Sequence, residues 1–229
     1  MTSAVPTALL AMPAFAGLKP ASLDALARGS REIRLAAGHD VMRKGDPADC
    51  IMLLLAGRLR VSAVSIDGRA VTFRLVEPVE MVGEIGVLDG RPRTADVTTV
   101  IASRLLILTR EACLGAITTH PDVAQAMVHL LCMRLRDTTD GFERVATQRL
   151  PARIAQLLLR LATAYGRPTP DGGVLLPMRL SQTEIGTLVA ATREAVNKQL
   201  RLWRDEGLLT VTAGQVVLLQ PERLAAIRE

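Results

Sequence analysis

The chain has 229 residues, nearly half of them hydrophobic, enough to bury one large core or two modest ones. Its formal net charge of +5 and pI of about 9.7 are compatible with a polyanionic partner without requiring one. No segment approaches the roughly eighteen uninterrupted apolar residues of a membrane span, and Cys50, Cys113 and Cys132 lie too far apart for CxxC-type zinc or iron–sulfur ligation. Three unclustered cysteines fit a reducing cytoplasm better than a disulfide scaffold, so a cytoplasmic location is expected. Aromatic residues make up only 2% of the chain, which leaves Leu, Val, Ile and Ala to build the core. Its cations are nearly all Arg, with Lys only at positions 19, 44 and 198. Arg suits bidentate phosphate and base-edge contacts, although codon bias in a GC-rich genome is the simpler source of the excess.

The first sixteen residues read as a loose lead-in. A signal peptide is not expected, because no basic residue precedes Lys19 and Pro6 and Pro13 break the apolar run. Phe15, Leu18, Leu23, Leu26 and Ala27 then suggest one or two short helices. From about Glu32 to Thr109 short β-type runs alternate with turn signals such as Gly45-Asp46-Pro47 and Asp67-Gly68. The second turn separates Leu59–Ile66 from Val71–Val76 and reads as a hairpin. In the latter run Val71, Phe73 and Leu75 alternate with Thr72, Arg74 and Val76. Strands at this spacing indicate an all-β sandwich or barrel.

After Thr109 the pattern becomes helical. Pro121 and Asp122 open a long helix reaching about Arg149, in which Ala124, Val128, Leu131, Leu135, Thr138, Phe142 and Val145 recur at spacings of four and three. Arg134, Arg136, Asp137, Asp140, Glu143 and Arg144 border this narrow seam, which favours helix-on-helix dimerisation over a helix packed only on its own domain. A helix from Ala152 to Tyr165 follows, then a Gly166–Gly173 loop. The expected hinge falls at about residues 140 to 150.

The last portion reads as strand, helix, turn, helix and hairpin. Ser181 and Glu184 form a capping box that starts a short helix with Ile185, Leu188 and Val189 facing inward. Ala190-Ala191 makes a turn, and Thr192 caps a second helix. There Val196, Leu200 and Trp203 form the buried face, leaving Arg193, Glu194, Asn197, Lys198, Arg201 and Arg204 outside. This is a helix-turn-helix, whose second helix enters the major groove of double-stranded DNA. Arg193 suits guanine and Glu194 the N4 of cytosine, and a carboxylate facing DNA is costly unless it reads a base. Thr192, Arg193, Glu194, Asn197, Lys198 and Arg201 are therefore the candidate DNA-contacting residues. Beyond Gly207, Leu208 to Leu219, centred on Ala213-Gly214, makes a β-hairpin wing.

The stretch from Met81 to Val97 (MVGEIGVLDGRPRTADV) resembles the phosphate-binding cassette of cyclic-nucleotide-binding domains. The chemistry fits a cyclic monophosphate. Arg93 offers a fork of donors to the phosphate, Gly83 allows close backbone approach, and a short helix over Glu84–Val87 points its first amides at the anion. Glu84 would accept from the ribose 2′-hydroxyl. With the helix-turn-helix in place, the chain from about Phe15 to Leu219 resembles the cyclic-AMP receptor protein/FNR family of bacterial transcription regulators. Arg153-Ile154-Ala155-Gln156 and the span from Gln182 to Glu194 add to the likeness.

That resemblance implies an α+β fold. A cyclic-nucleotide-binding β-roll (a jelly roll) would occupy residues 1–120, a dimerisation helix and hinge 121–149, and a winged helix-turn-helix domain 150–229. It implies Gly83, Glu84, Ile85, Arg93 and Thr94 as ligand-binding residues, with Thr138 and Thr139 at the positions where a Thr-Ser pair touches the adenine. It also implies a homodimer, a cyclic nucleotide effector and RNA polymerase as a partner, with no metal and no membrane. Cyclic AMP is favoured; cyclic GMP stays open, because a Thr at position 94 also suits the guanine 2-amino group. Three positions depart from the family pattern. Val79 and Ala190 stand where Gly is usual, and Lys198 replaces a base-reading Arg. The haem-binding and iron–sulfur branches of the family find no matching ligands here: the cysteines are unclustered, and His39, His120 and His129 read as surface or satisfied residues. The competing functions are a cyclic-nucleotide regulatory subunit acting by protein contact and the same fold binding DNA without ligand. An enzyme is not expected, since no nucleophile–base pair or triphosphate loop is present.

Overall fold

In the computed structural model, residues 4–64, 70–212 and 214–227 are described, and the chain divides into two compact units, 1–136 and 137–229. The hairpin turn at Asp67-Gly68 and the wing residue Ala213 lie outside the described residues.

The first unit opens with helix α1 (Ala4–Leu10), a 3-10 turn at Pro13–Phe15 and α2 (Pro20–Ala27). These residues are not a loose lead-in: Leu9, Met12 and Phe15 are buried in the core together with Leu23 and Leu26. Among the described residues six antiparallel strands follow. They are β1 (Arg31–Leu35), β2 (Asp40–Met42), β3 (Cys50–Val64), β4 (Ala70–Val76), β5 (Met81–Val82) and β6 (Asp96–Thr109), with α3 (Glu84–Asp89) between the last two. The sheet order is β1-β6-β3-β4, with β2 also paired to β6 and β5 to β3.

Register explains the unbroken apolar run Ile51–Leu55. Ile51 pairs with Leu108 and Leu53 with Leu106, and these four face a helical layer. Met52 and Leu54 point the other way, into the roll, with Leu59, Val76, Val82, Val97, Leu105 and Ile107. A strand buried on both faces has no polar side to alternate with. In β4 the alternation is real, and its buried members are Thr72 and Val76, while Phe73 is 59% exposed.

Helix α4 (Arg110–Thr119) is capped by Thr109, whose hydroxyl accepts from the Ala112 amide at 3.2 Å. Helix α5 (Pro121–Thr147) has two characters. Val123, Ala126, Met127 and Leu130 are buried against the first unit's core, and Asp122 accepts hydrogen bonds from the Lys19 amide (3.0 Å) and the Ser22 hydroxyl (2.7 Å), which tie α5 to α2. These bonds hold the Asp122 carboxyl below its usual pKa, the Lys19 amide contributing most. The seam residues Val128, Leu135, Phe142 and Val145 are instead exposed, Leu135 at 67% and Phe142 at 75%. The boundary between the units falls between Arg136 and Asp137, inside this helix.

The second unit comprises α6 (Leu150–Tyr165), β7 (Arg167–Pro168), β8 (Val174–Arg179), α7 (Gln182–Leu188), α8 (Arg193–Asp205), β9 (Leu209–Thr212), β10 (Gln215–Leu218) and α9 (Pro221–Ala225). The expected Gly166–Gly173 loop contains the two-residue strand β7, which joins the sheet β7-β8-β10-β9. Ile154, Leu158, Ile185, Val196, Leu200, Trp203, Leu209 and Leu218 form its core.

Candidate ligand and nucleic-acid sites

The first site is built on the turn from β5 into α3. Gly83 is the N-cap of α3 at φ +86°. The left-handed backbone there favours glycine, and a Cβ would lie 2.5 Å from Arg93 Nη1 and 3.1 Å from Met42 Cε, so any side chain would have to displace the guanidinium. Arg93 is only 5% exposed. Its Nη1 donates to the Gly83 carbonyl at 2.9 Å, and its Nη2 donates to Asp49 Oδ1 at 3.1 Å and Cys50 Sγ at 3.4 Å. The loop carrying it is pinned by paired backbone bonds: the Arg93 amide donates to Asp46 and the Gly45 amide to the Arg93 carbonyl, each at 2.9 Å. The Gly45-Asp46-Pro47 turn thus fixes the arginine across the sheet. Burial, with the Asp49 carboxylate beside it, pushes the Cys50 thiol up, so it stays protonated at neutral pH.

Glu84, also 5% exposed, stands in the first turn of α3. Arg134 of α5 reaches it at 3.7 Å. The same guanidinium contacts Glu80 at 3.2 Å and donates to the Met81 carbonyl at 3.0 Å. Arg74 of β4 donates to Glu80 as well and to the Met81 carbonyl at 3.1 Å. Sequence reasoning does not find Arg74, Glu80 and Arg134 as site residues. Arg134 reads there as a charge bordering the seam, and nothing local marks residues 74, 80 and 134 as neighbours. Of the expected ligand residues, Gly83, Glu84 and Arg93 come together, while Ile85 and Thr94 are exposed on the same segment. Thr138 and Thr139 lie on exposed turns of α5 in the second unit.

The second site is the α7–α8 pair. The Ser181 hydroxyl accepts from the Glu184 amide at 3.1 Å, and the Ser181 amide donates to the Glu184 carboxylate at 2.8 Å, completing the capping box. The Thr192 hydroxyl accepts from the Ala195 amide at 3.2 Å. Val196, Leu200 and Trp203 anchor α8, which leaves Thr192, Arg193, Glu194, Lys198 and Arg201 exposed. Asn197 is half-buried, and its Oδ1 accepts from Gln182 Nε2 at 3.0 Å, bracing α8 on α7. The turn is tight, since a Cβ on Gly186 would lie 2.7 Å from the Ala191 carbonyl. Both departures from the family's glycines sit in the left-handed region, Val79 at φ +71° and Ala190 at φ +52°. Among the described residues no group of three or more His, Cys, Asp or Glu is placed to hold a metal ion, and no helix is long and apolar enough to cross a membrane.

Comparison with known proteins places both sites in one family. Residues 32–120 match the cyclic nucleotide-binding domain family and residues 152–227 the Crp-like helix-turn-helix domain family. The CRP-like cAMP-activated global transcriptional regulator of Mycobacterium tuberculosis is 31% identical, over 92% of this chain and 94% of its own. The cyclic AMP receptor protein of Thermus thermophilus is 28% identical, over 94% of this chain and 96% of its own. Among solved structures, that of the c-di-GMP-responsive global regulator CLP of Xanthomonas campestris superposes with a TM-score of 0.77 at 25% identity, covering 87% of this chain and 99% of that one. With a cyclic-nucleotide-binding unit, a Crp-like helix-turn-helix and a near full-length relative of this kind, the chain belongs to the cyclic-AMP receptor protein/FNR family of transcription regulators.

Proposed function

We propose that this protein is a cytoplasmic homodimeric transcription regulator, gated by a cyclic nucleotide, that binds a near-palindromic DNA site and acts on RNA polymerase. The observation that carries the reading is the buried Arg93 guanidinium beside Gly83 and Glu84. An interior cation and a carboxylate, set on the glycine that starts α3, suit a ligand with one phosphate charge and a free ribose hydroxyl. The phosphate takes the Arg93 fork in place of the exposed Asp49 carboxylate, and Glu84 takes the 2′-hydroxyl. Ile85 and Thr94 flank the ligand, and Thr138 and Thr139 meet the base. Cyclic AMP is the effector favoured by the sequence and by the names of two relatives, with cyclic GMP the alternative.

On DNA, the exposed start of α8 brings Arg193, Glu194 and Lys198 to base edges, with Thr192, Asn197 and Arg201 supporting or contacting the backbone. The exposed apolar seam of α5 supplies the dimer contact. Residues 1–120 then form the sensor, 121–149 the dimerisation helix and hinge, and 150–229 the DNA-binding domain. The test pairs calorimetric titration of cyclic AMP and cyclic GMP with a gel shift on selected DNA, with and without nucleotide. The expected result is binding of nucleotide at one site per chain and tighter DNA binding in its presence. DNA affinity that ignores a bound nucleotide would replace gating by ligand-independent DNA binding.

A further inference from the structure

Helix α7 meets the outer stripe of α8 through one pair of carboxamides. Gln182, the first residue of α7, donates from Nε2 to Asn197 Oδ1 at 3.0 Å. Both residues are half-buried. Asn197 stands one turn beyond Arg193 and one turn before Arg201, on the side of α8 away from Val196, Leu200 and Trp203. Its amino group has no acceptor among the described residues and is not enclosed, so it is left at the surface. A lone asparagine carboxamide turns readily about its last bond and exchanges its oxygen for its nitrogen. Here that exchange brings two amino groups together unless Gln182 turns over as well. What Asn197 offers outward is therefore set by a side chain of the neighbouring helix.

We propose that Gln182 is a positioning residue for DNA reading, holding the Asn197 oxygen so that this side chain reads an adenine. The proposal rests on α8 being the helix that enters the major groove, and it goes beyond that reading, which leaves Asn197 a supporting or backbone role. The Asn197 oxygen has two lone pairs, and Gln182 takes one. The second lone pair and the adjacent amino group form an acceptor–donor edge that matches the N6 amino group and N7 of adenine. Guanine places O6 where that oxygen needs a donor, so acceptor meets acceptor. One helical turn advances about 5.4 Å, so the adenine falls within about two base-pair steps of the guanine assigned to Arg193. A contact held in place before binding costs less ordering on DNA than one that must be selected from two orientations.

The experiment is site selection followed by gel shifts with the full chain, for the parent, Asn197→Ala, Gln182→Ala, Gln182→Glu and Gln182→Lys. Asn197→Ala should flatten one adenine position and so identify the base pair. The quantity read is the affinity for a site with adenine at that pair divided by the affinity for the same site with guanine. In the parent it should be at least about fivefold. It should fall at least about threefold in Gln182→Ala. In Gln182→Glu it should also fall, because a carboxylate only accepts and draws the Asn197 amino group toward it. Gln182→Lys should keep it, because an ammonium donates to the same oxygen as the native carboxamide. The new charges change the affinity for both sites alike and leave the ratio to report the base. Trp203 fluorescence reports folding of this unit, and the Glu and Lys variants carry the test if Gln182→Ala does not fold. Ratios that agree within about twofold between the Glu and Lys variants overturn the proposal and leave Gln182 as a structural brace. A consensus untouched by Asn197→Ala overturns it as well. A consensus that Arg193→Ala alters and Asn197→Ala does not leaves the reading of α8 standing without this inference, whereas a parent that selects no consensus removes both.

Discussion

Arg93 is a buried cation whose acceptors are a backbone carbonyl, one exposed carboxylate and a thiol. Arg93→Leu keeps the apolar stem and removes the donors. A charge-assisted pair of this kind contributes about 1.5–3 kcal/mol, so nucleotide affinity should fall at least about tenfold. Calorimetry checks this, with circular dichroism as the control for folding. Unchanged affinity would remove the cassette from the ligand site. Ala190 is exposed at φ +52°, where a Cβ is disfavoured and few contacts compensate. Ala190→Gly relieves the strain and gives back part of the gain as unfolded-chain entropy, a net stabilisation of about 1 kcal/mol. Trp203, the only tryptophan and a core residue of the same unit, reports the unfolding by its fluorescence. An unmoved or lowered urea midpoint would contradict the strain argument.

At the scale of elements, what is legible in the sequence depends on how local its signals are. The capping box at Ser181–Glu184, the Thr192 cap and the Val196–Leu200–Trp203 stripe each lie within a few residues of their partners, and all appear in the structure as expected. The Gly83–Arg93 segment is legible because its spacing is a short motif. The Arg74–Glu80–Arg134 cluster is not, because it is assembled from three distant segments and only the fold brings them together. Leu9 and Met12 escape a sequence reading because the elements around them are too short to show a period, and their burial comes from packing against the helical layer of the first unit. Helical periodicity puts Asn197 outside, since it does not foresee that Gln182 of the neighbouring helix bonds its side chain. Helix α8 carries a prediction that separates two kinds of contact. Arg193→Ala should flatten one guanine position in a selected-site experiment, at a cost of about 1–3 kcal/mol per half-site. Arg201→Ala should leave the consensus unchanged and lower the salt slope by about one for each phosphate it no longer neutralises. An unchanged consensus in Arg193→Ala would mean the recognition helix is read in the wrong register.

For the whole molecule the deciding feature is α5, which is buried on one face and bare on the other. Val123, Ala126, Met127 and Leu130 hold it to the core of the first unit, and Arg134 ties it to the β5–α3 segment through Glu80, Met81 and Glu84. In the proposed reading a ligand taking the Glu84 carboxylate would change what Arg134 holds, and Arg134 belongs to the helix that carries the exposed seam. For this to regulate DNA binding, the ligand must favour the DNA-competent state over the inactive one. Thr138→Ala should then reduce the gain in DNA affinity produced by saturating nucleotide, and an unaltered gain would take that hydroxyl out of the switch. The switch presupposes two chains. An exposed row formed by Val128, Leu135, Phe142 and Val145 is a stripe that a monomer has little reason to keep. In a parallel pair of α5 helices Leu135 meets its own symmetry mate, so Leu135→Asp places two carboxylates face to face in a desolvated seam. Burying two like charges against each other costs several kcal/mol, comparable to what such a seam contributes. The variant should sediment as a monomer at micromolar concentration while its circular dichroism stays native, since Leu135 is 67% exposed in the single chain and outside the apolar clusters of the two units. It should still bind nucleotide through Arg93 and should lose affinity for a palindromic site far more than for a single half-site. A variant that stays dimeric would move the dimer contact off this seam, and a monomer with undiminished palindrome binding would break the link between the α5 dimer and the operator.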